Sequence, residues 1–239
     1  PRLLGFDIES GKLVADERFG PAIAPAGSLL KDLAISPDGR TLVMSDASFW
    51  RQRPALIVYD TRSGSTRRVL EGHPSVAAED FVIRSNGREM AFLGGIVAMR
   101  GGVTGVAVDP EWLYYGAMSG SAIYRVPLAD LRNRTLPDAQ LASKPLSESF
   151  GIDDRGNLYV TDIEHNAIHL VGPDRRPRTL LRSESLRWPD GLAISSDGWV
   201  YVSDSALSEL VLRSAEDIEA ARPFAVFRFR PNQAAAPRE

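Results

Sequence analysis

Apolar and polar residues alternate along this chain in short runs, and four stretches share one phrasing. They are KDLAISPDGRTLVMSD (31–46), VTGVAVDPEWLYYG (103–116), SFGIDDRGNLYVTD (149–162) and PDGLAISSDGWVYVSD (189–204). Period-two alternation on both sides of a turn predicts a β-hairpin in each. Three of the turns end in glycine, at Gly39, Gly156 and Gly198, where a tight connection needs a positive φ. Further alternating runs follow the first three hairpins, at 55–60 and 66–70, 122–126 and 139–142, and 167–171 and 177–181, so each of those units carries four strands.

Equivalent positions at the head of the first strand are Asp32, Thr104, Phe150 and Asp190, with separations of 72, 46 and 40 residues. Four strands repeating every 40 to 50 residues or so predict a β-propeller, an all-β fold in which stacked blades surround an axis. A single blade buries too little apolar surface to stand alone, so the array is expected to be one domain over residues 1–230, with a disordered tail at 231–239. Residues 3–8 and 12–16 read as the outer two strands of a blade, and the last unit reads as short of a strand. The expectation is an incomplete ring of about four to five blades, a fragment lacking its N-terminal part, roughly 60 to 100 residues at the usual repeat length.

The segment 73–100 breaks the four-strand rhythm. Residues 80–84 and 89–93 flank Ser85-Asn86-Gly87-Arg88, which predicts an extra hairpin with a type I′ turn. The expected placement is an extension of a fourth strand; the alternative is a loop folding toward the channel.

Composition narrows the function classes. A formal charge of −3 with scattered basic residues gives no broad electrostatic case for nucleic acid, and no apolar run is long enough for a membrane span. Zero cysteines exclude disulfides, thiolate metal sites and a cysteine nucleophile. The triplet Asn133-Arg134-Thr135 fits a glycosylation acceptor but carries little weight. His165 and His169 do not read as a zinc pair, and the recurring Asp46, Asp162 and Asp204 read as structural acceptors that cap a repeated turn.

The heads of the first strands face one mouth of the channel. Asp32 and Asp190 there could share a cation, clamp an ammonium group or serve as a base; alternatively they bond backbone N–H groups of the preceding loop. Thr104 and Ser149 add hydroxyls, and Phe150 and Trp188 could wall an organic ligand, with packing between blades as the other reading for the tryptophan.

Residues 99–133, 156–172 and 186–207, together with KDLAISPDGRTLVMSD, resemble the major royal jelly protein and Yellow family over about residues 28–207. The resemblance implies a six-bladed propeller, usually secreted, and so a secreted or periplasmic protein that binds a small-molecule ligand at the channel mouth. Insect members commonly carry disulfides, so this chain looks more like a bacterial relative. A more distant resemblance, to the gluconolactonase and senescence-marker-protein family, rests on Pro189-Asp190-Gly191. It implies a competing activity, a metal-dependent lactone hydrolase in which Asp190 holds a divalent cation, calcium or similar, and acts as general base. The asparagine ligand of that family falls on or beside Phe150 here, and phenylalanine cannot ligate a hard cation. A structural or protein-interaction propeller is the third reading.

Overall fold

The computed structural model describes residues 1–132 and 139–231. The expected glycosylation triplet and, from residue 232 onward, the expected tail lie outside them.

In chain order the strands are β1 (Arg2–Phe6), β2 (Leu13–Arg18), β3 (Leu30–Ile35), β4 (Thr41–Asp46), β5 (Ala55–Asp60), β6 (Thr66–Val69), β7 (Arg84–Ser85), β8 (Arg88–Glu89), β9 (Ala91–Phe92) and β10 (Val97–Ala98). They continue with β11 (Val103–Val108), β12 (Trp112–Ala117), β13 (Ala122–Pro127), β14 (Ala139–Ser143), β15 (Phe150–Ile152), β16 (Leu158–Asp162), β17 (Ala167–Val171), β18 (Pro177–Arg182), β19 (Pro189–Ile194), β20 (Val200–Asp204) and β21 (Ala225–Phe229). Two short helices, α1 (Leu207–Leu210) and α2 (Ala215–Ala220), separate the last two strands.

These strands form three four-stranded antiparallel blades, β3–β6, β11–β14 and β15–β18, and a three-stranded blade, β19–β21. The hairpin β1–β2 packs beside the first of them, with Leu3 against Met44, Ile57 and Tyr59. The inner strands β3, β11, β15 and β19 touch in that order, as a propeller requires. The chain is therefore an all-β propeller. Its last blade is short of a strand, as expected: after β20 the chain enters helix α1, and the third strand is β21. The capping box of Ser214 and Asp217 starts α2 immediately afterwards, which interrupts any strand there.

Local chemistry explains the regularity. At the inner hairpin of the β15 blade, Asp153 Oδ1 accepts from the N–H groups of Arg155 and Asn157 while Gly156 takes φ +77°. Apolar faces of neighbouring blades then meet. Val43 and Leu56 pack against Val106, Leu113 and Tyr115, while Tyr159 and Ile168 pack against Val200 and Val202.

Segment 73–100 does not extend a fourth strand. Its hairpin β7–β8, turning at Asn86 (φ +50°) and Gly87 (φ +74°), forms a separate sheet, as does β9–β10. The segment leaves the β3–β6 blade and crosses the face of the propeller. Arg84 N donates to Glu164 Oε1 at 2.7 Å, and Asn86 Nδ2 donates to Arg187 O and Ser208 Oγ. The Arg88 guanidinium donates to Ser208 O and Val211 O. Ile83, Met90 and Met99 on its underside bury themselves with Met118, Ile163 and Trp188. Burial of that apolar underside is what turns the segment inward: the reading as a loop toward the channel is the one the structure takes.

Candidate functional site

Antiparallel order places the starts of the inner strands and the ends of the second strands on one face of the propeller. A repeated brace holds that face. The second strands β4, β16 and β20 each end in a hydroxyl followed by an aspartate: Ser45-Asp46, Thr161-Asp162 and Ser203-Asp204. The hydroxyls accept from inner-strand or linker N–H groups, Asp32 N, Glu148 N and Gly191 N respectively. The carboxylates accept from nearby loop N–H groups: Asp46 from Leu29 and Ser48, Asp204 from Trp188, Asp162 from Glu164 and His165. Arg68 and Arg187 add ion pairs to Asp46 and Asp204, and His169 adds a contact to Asp162. A capping role accounts for this series completely.

Within that frame the heads of the inner strands come together at the axis. Ser149 Oγ donates to Asp32 Oδ2 at 2.8 Å, across two non-adjacent blades. Lys31, at the start of β3, sets its ammonium 3.6 Å from both Glu148 Oε2 and Asp190 Oδ1. Trp188 Nε1 donates to the other oxygen of Glu148 at 3.2 Å, and Thr104 Oγ1 donates to Ser147 O. Asp32 also accepts from Leu33 N, so it serves both the backbone and the cluster.

Two of the expected residues turn elsewhere. Phe150 is 3% exposed, and its ring packs between the β11 and β15 blades against Ala107, Tyr114 and Val160. The reason is room: a Cβ on Gly105 would fall 3.0 Å from that ring, and one on Gly116 only 2.8 Å. Two glycines in the neighbouring blade make the slot that Phe150 fills. Trp188 is wholly buried beneath the crossing segment, so its face is no wall for a ligand; its indole N–H orients Glu148.

Burial sets the electrostatics. Desolvation pushes Glu148 up to about 7, with Lys31 pulling the other way and Asp190 adding to the rise. Asp32 is pushed up to about 6, again chiefly by desolvation, against the hydrogen bonds from Ser149 and Leu33. Burial also works against the Lys31 ammonium, but Glu148 and Asp190 outweigh it and hold its pKa above the ordinary lysine value. Glu148 Oε2 is buried and has no hydrogen-bond partner among the described residues, since Lys31 stands slightly too far away.

Beside this cluster a cavity of about 290 Å³ opens toward solvent. Lys31, Glu148 and Thr104 form its polar part, and Phe49, Trp50 and Phe92 form an aromatic wall. The three rings lie edge to face or tilted, with centroids 5.3 to 5.9 Å apart, and Trp50 is 70% exposed. Phe92 comes from the crossing segment, so the cavity exists only because that segment folds inward. Asp32, Ser149 and Asp190 support the polar part from beside it. Sequence reasoning missed Lys31 and Glu148. Lys31 had a signal: of 28 lysines and arginines only Lys12, Lys31 and Lys144 are lysine.

The residues do not fit a divalent cation. A lysine ammonium stands between the two carboxylates that could share one, the phenylalanine at the expected asparagine position points into the core, and among the described residues no group of three or more His, Asp or Glu side chains could hold a metal.

The chain resembles several solved propellers. A chain of a nidogen–laminin complex superposes with a TM-score of 0.58 at 14% identity, covering 84% of this chain and 65% of that one. The luciferin-regenerating enzyme gives 0.58 at 14%, covering 95% and 69%. A gluconolactonase from Xanthomonas campestris gives 0.54 at 13%, covering 84% and 61%. At such identities the likeness is one of fold, and this chain spans less than two thirds of the nidogen-complex chain and of the gluconolactonase. No curated protein matches in sequence. The family profile for major royal jelly protein matches residues 1–215, and with the repeated hairpins, the braced face and the propeller architecture, this chain belongs to the major royal jelly protein family.

Proposed function

We propose that the protein binds a small organic ligand in the cavity under the crossing segment. The observation that carries the reading is the placement of an ion pair too long to hydrogen-bond, Lys31 with Glu148, in the wall of an aromatic-lined opening. An aromatic wall supplies contact area at little entropic cost, and the polar pair offers a donor and an unsatisfied acceptor to one head group. The ligand class is a flat apolar body carrying a cationic or hydroxyl-rich group that satisfies Glu148 Oε2. A secreted or periplasmic location, as the family resemblance implies, belongs to the same proposal.

Calorimetric titration with a panel of aromatic amines, polyhydroxylated aromatics and sugar lactones tests it. Binding is expected from the first two groups, with Glu148→Gln weakening it by roughly 1.5 to 3 kcal/mol, the usual worth of a charged hydrogen bond. Trp50→Ala is expected to weaken it as well. Hydrolysis of a sugar lactone that depends on added calcium and is abolished by Asp190→Asn would overturn the binding reading in favour of the lactonase one.

A further inference from the structure

Outside this cavity one buried titratable group has no role in the proposed binding. Lys144 follows β14 and is 7% exposed, with its stem laid over Gly116, where a Cβ would come within 2.9 Å of Lys144 Cε. Its Nζ donates to Gly120 O at 2.6 Å and to Pro145 O at 3.0 Å. Glu79, whose charge acts on this amine from the crossing segment, is engaged by Ser121, which donates to it from both its backbone N–H and its hydroxyl. Two acceptors satisfy the two N–H bonds of a neutral amine. An ammonium would carry a third N–H, and among the described residues only these two carbonyls accept from the amine, so its charge is costly to bury. Consistent with this, burial lowers the lysine to about 7, and the more distant Glu79, Asp162 and Glu148 do not offset it.

Lys144 also lines a second cavity, of about 500 Å³, between the β11 and β15 blades, together with Ser121, Glu164, His165 and Phe81. A neutral amine in the wall of a cavity is a nucleophile, a state that arginine never reaches near neutral pH. The other two lysines make poor rivals: Lys12 lies on the exposed β1–β2 hairpin, and Lys31 is held charged by its carboxylates.

We propose that Lys144 is a covalent capture site for small aldehydes and ketones. Its nitrogen lone pair forms a C–N bond to the carbonyl carbon while the carbonyl π pair moves to oxygen. The two amine protons then leave with that oxygen as water, and an imine remains. The reaction consumes one amine and one carbonyl and needs no oxidant or reductant.

The test uses the intact chain with propanal and sodium cyanoborohydride, which reduces any imine to a stable secondary amine, followed by chymotryptic peptide mass spectrometry. The three lysines serve as internal comparisons. Tagging at Lys144 is expected at least about 10-fold faster than at Lys12 or Lys31 at pH 7, because an ordinary lysine is almost wholly protonated there. The Lys144 rate is expected to stay nearly level from about pH 7 to 10. Lys12 tagged at pH 7 as fast as Lys144, or Lys144 tagged only after unfolding in urea, would overturn the proposal.

Discussion

Lys31, partly exposed, and Lys144, buried, present the same side chain with opposite outcomes. Lys31 meets two carboxylates at 3.6 Å and keeps its charge more firmly than a lysine in water. Lys144 meets two backbone carbonyls and loses its charge near neutrality. Carbonyl dipoles satisfy hydrogen bonds but do not replace the solvation of a full charge, whereas carboxylates do both and are themselves shifted in return. The difference teaches that the state of a lysine is set by its burial together with the formal charge of its partners.

The comparison can be broken most directly at Lys144. Its folded pKa is depressed below the unfolded value, so the unfolded chain binds the extra proton between about pH 7 and 10.5, and stability rises with pH across that window. Urea unfolding is expected to show a gain on the order of 4 kcal/mol over this range, at about 1.4 kcal/mol per unit, less whatever other groups contribute. Lys144→Met should flatten that limb; an unchanged slope would mean that the amine is charged and solvated.

A smaller effect is expected at the carboxylate beside Lys31. Glu148 has a raised folded pKa, so its contribution is fully present below about pH 4.5 and is lost as pH rises through 7. Glu148→Gln, which mimics the protonated acid, should therefore stabilise the fold at pH 8 by roughly 2 kcal/mol and change little at pH 4.5. The Lys31→Met change runs the other way. It leaves Glu148 without its cation and should destabilise at pH 8 by roughly 1 to 2 kcal/mol, less than a fully buried pair would cost because the lysine is partly exposed. If Lys31→Met has no effect at pH 8, the pair is not coupled and the contrast with Lys144 dissolves.

Much of the architecture was legible in the chain. The 40 to 46 residue spacing, the glycine turns and the recurring hydroxyl-aspartate pairs are local signals, and each corresponds to a hairpin or brace. Which face gathers the heads of the inner strands also followed from that template. The cluster itself was less legible, because its geometry depends on which side chain wins the space at the axis. Phe150 shares a template position with Asp32 and Asp190, yet Gly105 and Gly116 one blade away offer it a slot. Glu148 then supplies the carboxylate from two residues earlier, in a linker whose direction no alternation pattern fixes. The inward fold of 73–100 was obscured for a related reason: Ile83, Met90 and Met99 look like any short apolar residues until Trp188, about a hundred residues on, gives them something to bury against.

That crossing segment has a consequence for how the ring holds together. In an array whose units touch only their neighbours, stability is a sum of local terms and an end unit can fray without disturbing the rest. Here Arg84, Asn86 and Arg88 bond to partners 80 to 123 residues away, including the helix that follows β20. Loop-closure entropy makes such contacts slow to form, so the segment docks only once the last blade exists. The aromatic cavity it completes is therefore among the last features to fold, and opening the segment would release the final blade and the ligand wall together.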